Sequence, residues 1–154
     1  MKSSKYKLLK NLEQTYCSFG VSKIHGIGVI AIRDIPKDIN PFPSTYTENA
    51  VILTDKELNE LPKEVITKVK HIFIKYNNVY SIYNLGLNSM GVRFHLNHSK
   101  KPNVGVNIEI ITKPGYYLPF VTLKDIKKGE ELCCDFTTFG GDDLLNQFKF
   151  IKND

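Results

Sequence analysis

Apolar residues fall into short runs along most of this chain. Residues 19–32 hold two such runs on either side of His25-Gly26-Ile27-Gly28, which predicts two strands joined by a turn. Residues 50–54 form a third strand-like run. Thr54-Asp55-Lys56-Glu57 then fits a capping box, a threonine cap with a glutamate three residues on. Pro62 suits the first turn of a second helix, whose buried face Val65, Val69, Ile72 and Phe73 would line at helical spacing. Residues 79–85 return to strand character. Val104, Val106, Ile108 and Ile110 alternate with Gly105, Asn107, Glu109 and Ile111, mostly at period two. Lys113-Pro114-Gly115 is a turn signal, and residues 116–123 supply a hairpin partner. Asp142 can cap a last helix in which Leu144, Leu145, Phe148 and Ile151 share a face. The pattern describes a mostly β domain with a helical insert and a C-terminal helix. It lacks the regular strand–helix alternation of a parallel α/β sheet.

Length adds that this is one domain: 154 residues can bury a core without disulfides or metal. Residues 1–16 read as an arm or short helix of weak amphipathicity, 17–137 as the folded body with its insert at about 54–74, and 138–154 as a closing helix. No internal repeat or linker stands out. No run of eighteen apolar residues exists, so no membrane span is expected. The basic start lacks an apolar stretch behind it, which points away from secretion and toward the cytoplasm or nucleus. The cysteines, Cys17, Cys133 and Cys134, are odd in number, and two are adjacent. They suggest a reducing compartment and no structural zinc. A net charge of +5 raises nucleic acid as a partner, but the lysines are scattered and read as a solvated surface.

Three segments carry candidate chemistry. His25-Gly26-Ile27-Gly28 lets the backbone turn tightly and approach a ligand; alone it is a common hairpin turn. It is no dinucleotide fingerprint, since the third glycine and the following helix are missing. Asn97-His98-Ser99-Lys100-Lys101-Pro102-Asn103 is a polar loop in which Asn and Ser can hold an unusual turn. Gly129-Glu130-Glu131-Leu132-Cys133-Cys134-Asp135-Phe136 is a turn feeding a strand, with Leu132, Cys134 and Phe136 on one face and Cys133 and Asp135 on the other.

In this order, the three segments resemble the SET-domain family of protein-lysine N-methyltransferases. That family shows a Gly-x-Gly, an Asn-His-Ser-Cys-x-Pro-Asn loop and a Gly-Glu-Glu-Leu-x-x-Asp-Tyr strand. The resemblance spans residues 17–137, with the middle match the most specific. It implies a β-clip-like fold of several small sheets, with the Asn97-His98-Ser99 loop threaded, knot-like, through the loop near 129–136. The insert would help form the substrate groove. The resemblance also implies S-adenosyl-L-methionine as cofactor, held by the backbone of His25, Gly26, Ile27 and Gly28 and by the Asn97-His98 pair. The substrate would be a lysine-bearing peptide or tail, a histone's among the candidates, entering from the opposite face. In-line attack of the amine makes alignment most of the catalysis, and a dry channel lowers the amine's pKa.

The chain departs from the family at identifiable places. Phe136 stands where the family's tyrosine hydroxyl orients the amine. Cys134 stands where a Phe or Tyr ring limits how many methyl groups fit, so di- or trimethylation is expected. Another tyrosine could supply the hydroxyl: Tyr80 and Tyr116 are candidates, with Tyr46, Tyr83 and Tyr117, although strand tyrosines are usually packing residues. The family's cysteine-rich zinc segment is absent, so the last helix would close the site, with Phe139 or Phe148 against the adenine. His71 and His95 read as surface or packing residues, and Cys17 and Cys133 as small hydrophobes. A second reading therefore stands beside the enzyme: a catalytically impaired module that keeps the pocket and binds cofactor or a partner peptide. Nucleic-acid binding is a third, and homo-oligomers stay open.

Overall fold

The described residues of the computed structural model are 4–43, 50–73, 75–76, 78–84, 86–106 and 119–138. The expected hairpin forms as β1 (Cys17–Val21) and β2 (Ile27–Ala31), paired antiparallel from Cys17↔Ala31 to Val21↔Ile27. β3 (Ala50–Thr54) runs into helix α2 (Asp55–Leu58) through the capping box: Thr54 Oγ1 accepts from the Glu57 N–H, and the Glu57 carboxylate accepts from the Thr54 N–H at 2.8 Å. Pro62 is the N-cap of α3 (Lys63–Ile72), one position before its predicted place. Val69 and Phe73 are buried as expected, with Val65 and Ile72 packed beside them. β4 (Lys75–Tyr76) and β5 (Val79–Tyr83) follow, then 3-10 turns at Gly86–Ser89 and Val92–His95. β6 (Asn97–His98), β7 (Val104–Val106), β8 (Phe120–Thr122) and β9 (Glu131–Cys134) complete the described strands.

These strands form a main sheet ordered β1-β2-β9-β7-β8, with β6 also on β9, and a small sheet ordered β3-β5-β4. β9 is the axis of the main sheet. It pairs antiparallel with β2 and parallel with both β6 and β7, so the last motif lies against the first hairpin and the polar loop together. Each sheet has its own core. Val29, Ile35, Leu96, Val104, Ile126 and Leu132 anchor the first; Leu58, Val69, Phe73, Tyr80 and Ile82 form the second, under the insert. Phe94 packs on the second core, edge to face with Phe73 and Tyr83. Two residues on, Leu96 enters the first.

The N-terminal segment is a helix, α1 (Ser4–Glu13). Arg33 holds its end, donating to the Glu13 carbonyl at 2.7 Å while its guanidinium lies 4.1 Å from the Tyr16 ring centre. The continuation of β7 to residue 111, the turn at Lys113-Pro114-Gly115, the last helix with Leu144, Leu145, Phe148 and Ile151, and Tyr46, Tyr116, Tyr117 and Phe139 lie outside the described residues.

The structure also contains a short repeat that the hydrophobic pattern conceals. Asp34-Ile35-Pro36-Lys37-Asp38 and Asp125-Ile126-Lys127-Lys128-Gly129 face each other. Ile35 and Ile126 exchange both backbone hydrogen bonds, at 2.8 and 2.9 Å. The Asp34 carboxylate accepts from the Lys128 N–H, and that of Asp125 from the Lys37 N–H, both at 2.9 Å. The fifth residue of each copy has positive φ, 64° at Asp38 and 88° at Gly129. Only Asp, Ile and Lys recur between the copies, too little for a sequence scan to register.

The Lys128 N–H, then the Lys127 ammonium at 2.9 Å, hold the Asp34 carboxyl below the usual carboxylate range. A depressed folded-state pKa stabilises the fold above the unfolded value of about 3.9 and is lost as pH falls through the folded one. Asp34→Asn is therefore expected to make stability less sensitive to pH below about 4 and to leave that dependence unchanged near neutrality. Urea midpoints measured across that range check it, and parallel curves for the two proteins below pH 4 would refute it.

Candidate functional site

The site is built where the three motif segments meet. The hairpin tip is closed by the Ser22 N–H donating to the Gly26 carbonyl at 3.0 Å, and Gly26 has φ 55°. Ser22 Oγ accepts from the N–H groups of Ile24 and His25 at 2.8 and 3.0 Å, a serine turn that folds the tip onto its own side chain. The same hydroxyl donates to Glu131 Oε1 at 2.7 Å, and Glu131 Oε2 accepts from the Lys23 N–H at 3.2 Å. A Cβ on Gly28 would meet that carboxylate at 2.4 Å, so only glycine lets the glutamate lie against this strand.

Asn97 ties the polar loop to the same tip. Its Nδ2 lies within hydrogen-bond distance of Glu131 Oε1 (2.9 Å), Ser22 Oγ (3.0 Å) and the carbonyls of His25 (3.1 Å) and Ile27 (3.3 Å). Three of these four oxygens can only accept, which fixes the amide with its nitrogen toward them. The Asn97 amide nitrogen is thus committed to holding the loop. His98 is held from the other side. Its Nδ1 accepts from the Phe136 N–H at 3.2 Å, and its ring lies 5.7 Å from that of Phe136. The His98 and Asp135 side chains approach to 3.8 Å. Burial raises the Asp135 pKa, but hydrogen bonds from Thr137 Oγ1 and N–H outweigh it, and the net shift is downward.

The structure thus brings His25, Gly26, Ile27, Gly28, Asn97, His98 and Phe136 together, with Cys134 opposite His98 in register. Cys134 is 1 % exposed and belongs to the first core, against which Phe136 also packs. Tyr80 lies elsewhere: it is buried in the second core among Leu58, Val69 and Phe73, and burial raises its phenol's pKa. That is the packing role strand tyrosines usually have. Burial also pushes the Cys17 thiol up to about 12 and the Cys133 thiol to about 11, so neither is an activated nucleophile at neutral pH. His95 packs edge-on against Phe19, with its buried Nδ1 unpartnered among the described residues. A cleft of about 160 Å³ between the end of α1, the start of β1 and residues 91–93 touches none of the motif residues.

Sequence reasoning missed Ser22 and Glu131. The signal was present in Gly28, whose missing side chain leaves room for a partner, but the identity of that partner depends on the β2–β9 register.

The tip is open on its outer side. A Cβ at Gly26 would find nothing within 4 Å, and the side chains of Ile24 and Ile27 are 51 % and 59 % exposed. Open backbone flanked by apolar side chains therefore faces outward at this end of the hairpin. Among the described residues no group of three or more potential metal ligands is present, and no helix is long and apolar enough to cross a membrane.

Residues 26–137 match the SET domain family. The fold is similar to that of a candidate histone methyltransferase of Plasmodium falciparum, at 20 % identity and a TM-score of 0.53, over 79 % of this chain and 93 % of that one. It is also similar to the Chaetomium thermophilum Polycomb Repressive Complex 2 bound to the inhibitor GSK126, at 22 % identity and 0.55, over 89 % of this chain and 17 % of that one. A third likeness is to that complex in an autoinhibited conformation bound to S-adenosylmethionine, at 21 % identity and 0.53, over 89 % of this chain and 16 % of that one. No curated protein matches the sequence.

Proposed function

From the premise that the chain belongs to the SET-domain family, a family of methyltransferases, we propose that it is an S-adenosylmethionine-dependent protein-lysine N-methyltransferase. The observation that carries this reading is the convergence of the three motif segments on one loop, through Asn97 and the Glu131 carboxylate. The backbone of His25–Gly28 and that of the Asn97-His98 pair would hold the cofactor, since the Asn97 amide nitrogen and His98 Nδ1 are engaged within the protein. When bound, S-adenosylmethionine supplies an electrophilic methyl group, and its sulfur leaves as a neutral thioether once the amine has attacked. Phe136 and its apolar neighbours would favour the neutral, nucleophilic form of the lysine amine. The substrate would be a lysine-bearing peptide or tail, such as a histone's, in the cytoplasm or nucleus. Tyr116 and Phe139 stay candidates for the amine-orienting hydroxyl and the adenine contact.

Titration calorimetry with S-adenosylmethionine tests the cofactor, and mass spectrometry of lysine-bearing proteins incubated with both tests the reaction. A folded protein that binds no cofactor would overturn the reading. A specific observation favours a second reading: Phe136 offers no hydroxyl, which suits a module that binds cofactor or peptide without turnover.

The small Cys134 side chain sets the expected degree of methylation. Products should reach the di- or trimethyl stage, because the ring that by the resemblance would limit addition is replaced by Cys134, a thiol packed in the first core beside Phe136. Mass spectra that stall at the monomethyl product under excess cofactor would refute this.

A further inference from the structure

We infer that the Glu131 carboxylate makes the cofactor loop select the cationic cofactor over its neutral product, and so favours product release. The inference rests on the cofactor reading above. Glu131 stands at the start of β9, beside Ile30 of β2, and its side chain lies against Gly28. Each donor that reaches it is neutral: the Ser22 hydroxyl, the Asn97 amide and the Lys23 N–H. Three converging donors are the environment of an acceptor-only, ionised carboxylate. Among the described residues no Lys, Arg or His comes within ion-pair distance of it. Among the described residues the half-buried carboxylate behind the loop is therefore held by neutral donors and has no cationic side chain in ion-pair contact.

S-adenosylmethionine and S-adenosylhomocysteine differ by one methyl group and one positive charge. Every other charged group is common to both, so a carboxylate held behind the loop by neutral donors acts on the difference. Its field needs no contact, because in a partly desolvated site Coulomb energy reaches across several ångströms. The sulfonium is attracted, and the attraction vanishes when transfer leaves a thioether. The same carboxylate fixes the loop's shape through Ser22 and Lys23, so Glu131 is a positioning residue whose charge has a separable second effect.

The experiment compares the dissociation constants of the two ligands in wild type and in Glu131→Gln. Glutamine keeps an oxygen for the Ser22 and Asn97 donors, loses the charge, and gives up the acceptor of the Lys23 N–H. The preference for S-adenosylmethionine over S-adenosylhomocysteine should fall roughly three- to tenfold. Ser22→Ala, which weakens the clamp and keeps the charge, should weaken both ligands alike and leave the preference unchanged. A preference unaltered in Glu131→Gln, or altered equally in Ser22→Ala, would overturn the inference while leaving the cofactor reading intact. If wild type binds neither ligand, the cofactor reading falls and takes this inference with it. Should Glu131→Gln not fold, Glu131→Asp replaces it: the charge stays, the clamp is lost, and the preference must persist for the inference to stand.

Discussion

Phe136→Tyr is expected to raise the rate of methyl transfer about 100-fold at unchanged cofactor affinity. The backbone at this position is already placed: the Phe136 N–H donates to His98 Nδ1, and the ring packs on the core that holds Leu132 and Cys134. A tyrosine would keep that packing and add one hydroxyl at the ring's end, where the family orients the attacking amine. In-line transfer is dominated by alignment, so an unaligned amine spends most of its time outside the reactive geometry. The effect belongs on kcat, because on the proposed reading the hydroxyl would touch the nucleophile and leave the loop at His25–Gly28 alone. Single-turnover rates and calorimetric affinities of the two proteins check both halves. A tyrosine variant no faster than wild type would mean that another hydroxyl orients the amine. Were both proteins inactive but able to bind cofactor, the binding-module reading would prevail.

Which parts of this molecule the sequence could disclose follows from the range of the interactions that make them. The first hairpin, the capping box at Thr54-Glu57 and the buried face of α3 depend on neighbours within a few residues, and their periodicity and cap chemistry were readable. The pairing of β6 with β9 was not. Two residues, Asn97 and His98, leave no periodic trace, and they are a strand only because β9 lies beside them. The resemblance made the loop a candidate cofactor contact without revealing that the Asn97 amide nitrogen holds the hairpin tip. Tyr80 shows the opposite error. Its residue type suggested a catalytic hydroxyl, while the register Leu53↔Tyr80 turns it into the core of the insert. Glu131 was visible in the motif but had no assignable role, because its partners Ser22 and Asn97 are remote in the chain.

Asn103→Ala is expected to destabilise the protein by roughly 2–4 kcal/mol, from two buried hydrogen bonds each worth about 1–3 when one partner is deleted. Asn103 is 7 % exposed and uses every group it has. Its backbone donates to the Cys133 carbonyl at 3.1 Å and accepts from the Leu123 N–H at 2.9 Å. Its side chain donates to the Glu131 carbonyl and accepts from the Cys133 N–H, both at 2.8 Å. Alanine keeps the first two bonds and strands the last two partners in a place that water reaches poorly. Asn103→Asp should be no milder, since it sets a carboxylate oxygen against the Glu131 carbonyl oxygen. Urea unfolding should show a lower midpoint at an unchanged slope. A loss below about 1 kcal/mol, the net worth of one ordinary hydrogen bond, would mean that the β9 backbone finds other partners and that Asn103 is not the brace it looks to be. If the loss is as large as expected, the polar loop has two separable duties. Asn97, at its N-terminal end, shapes the hairpin tip at His25–Gly28, and Asn103, at its C-terminal end, fixes the strand from which Glu131 reaches that same tip.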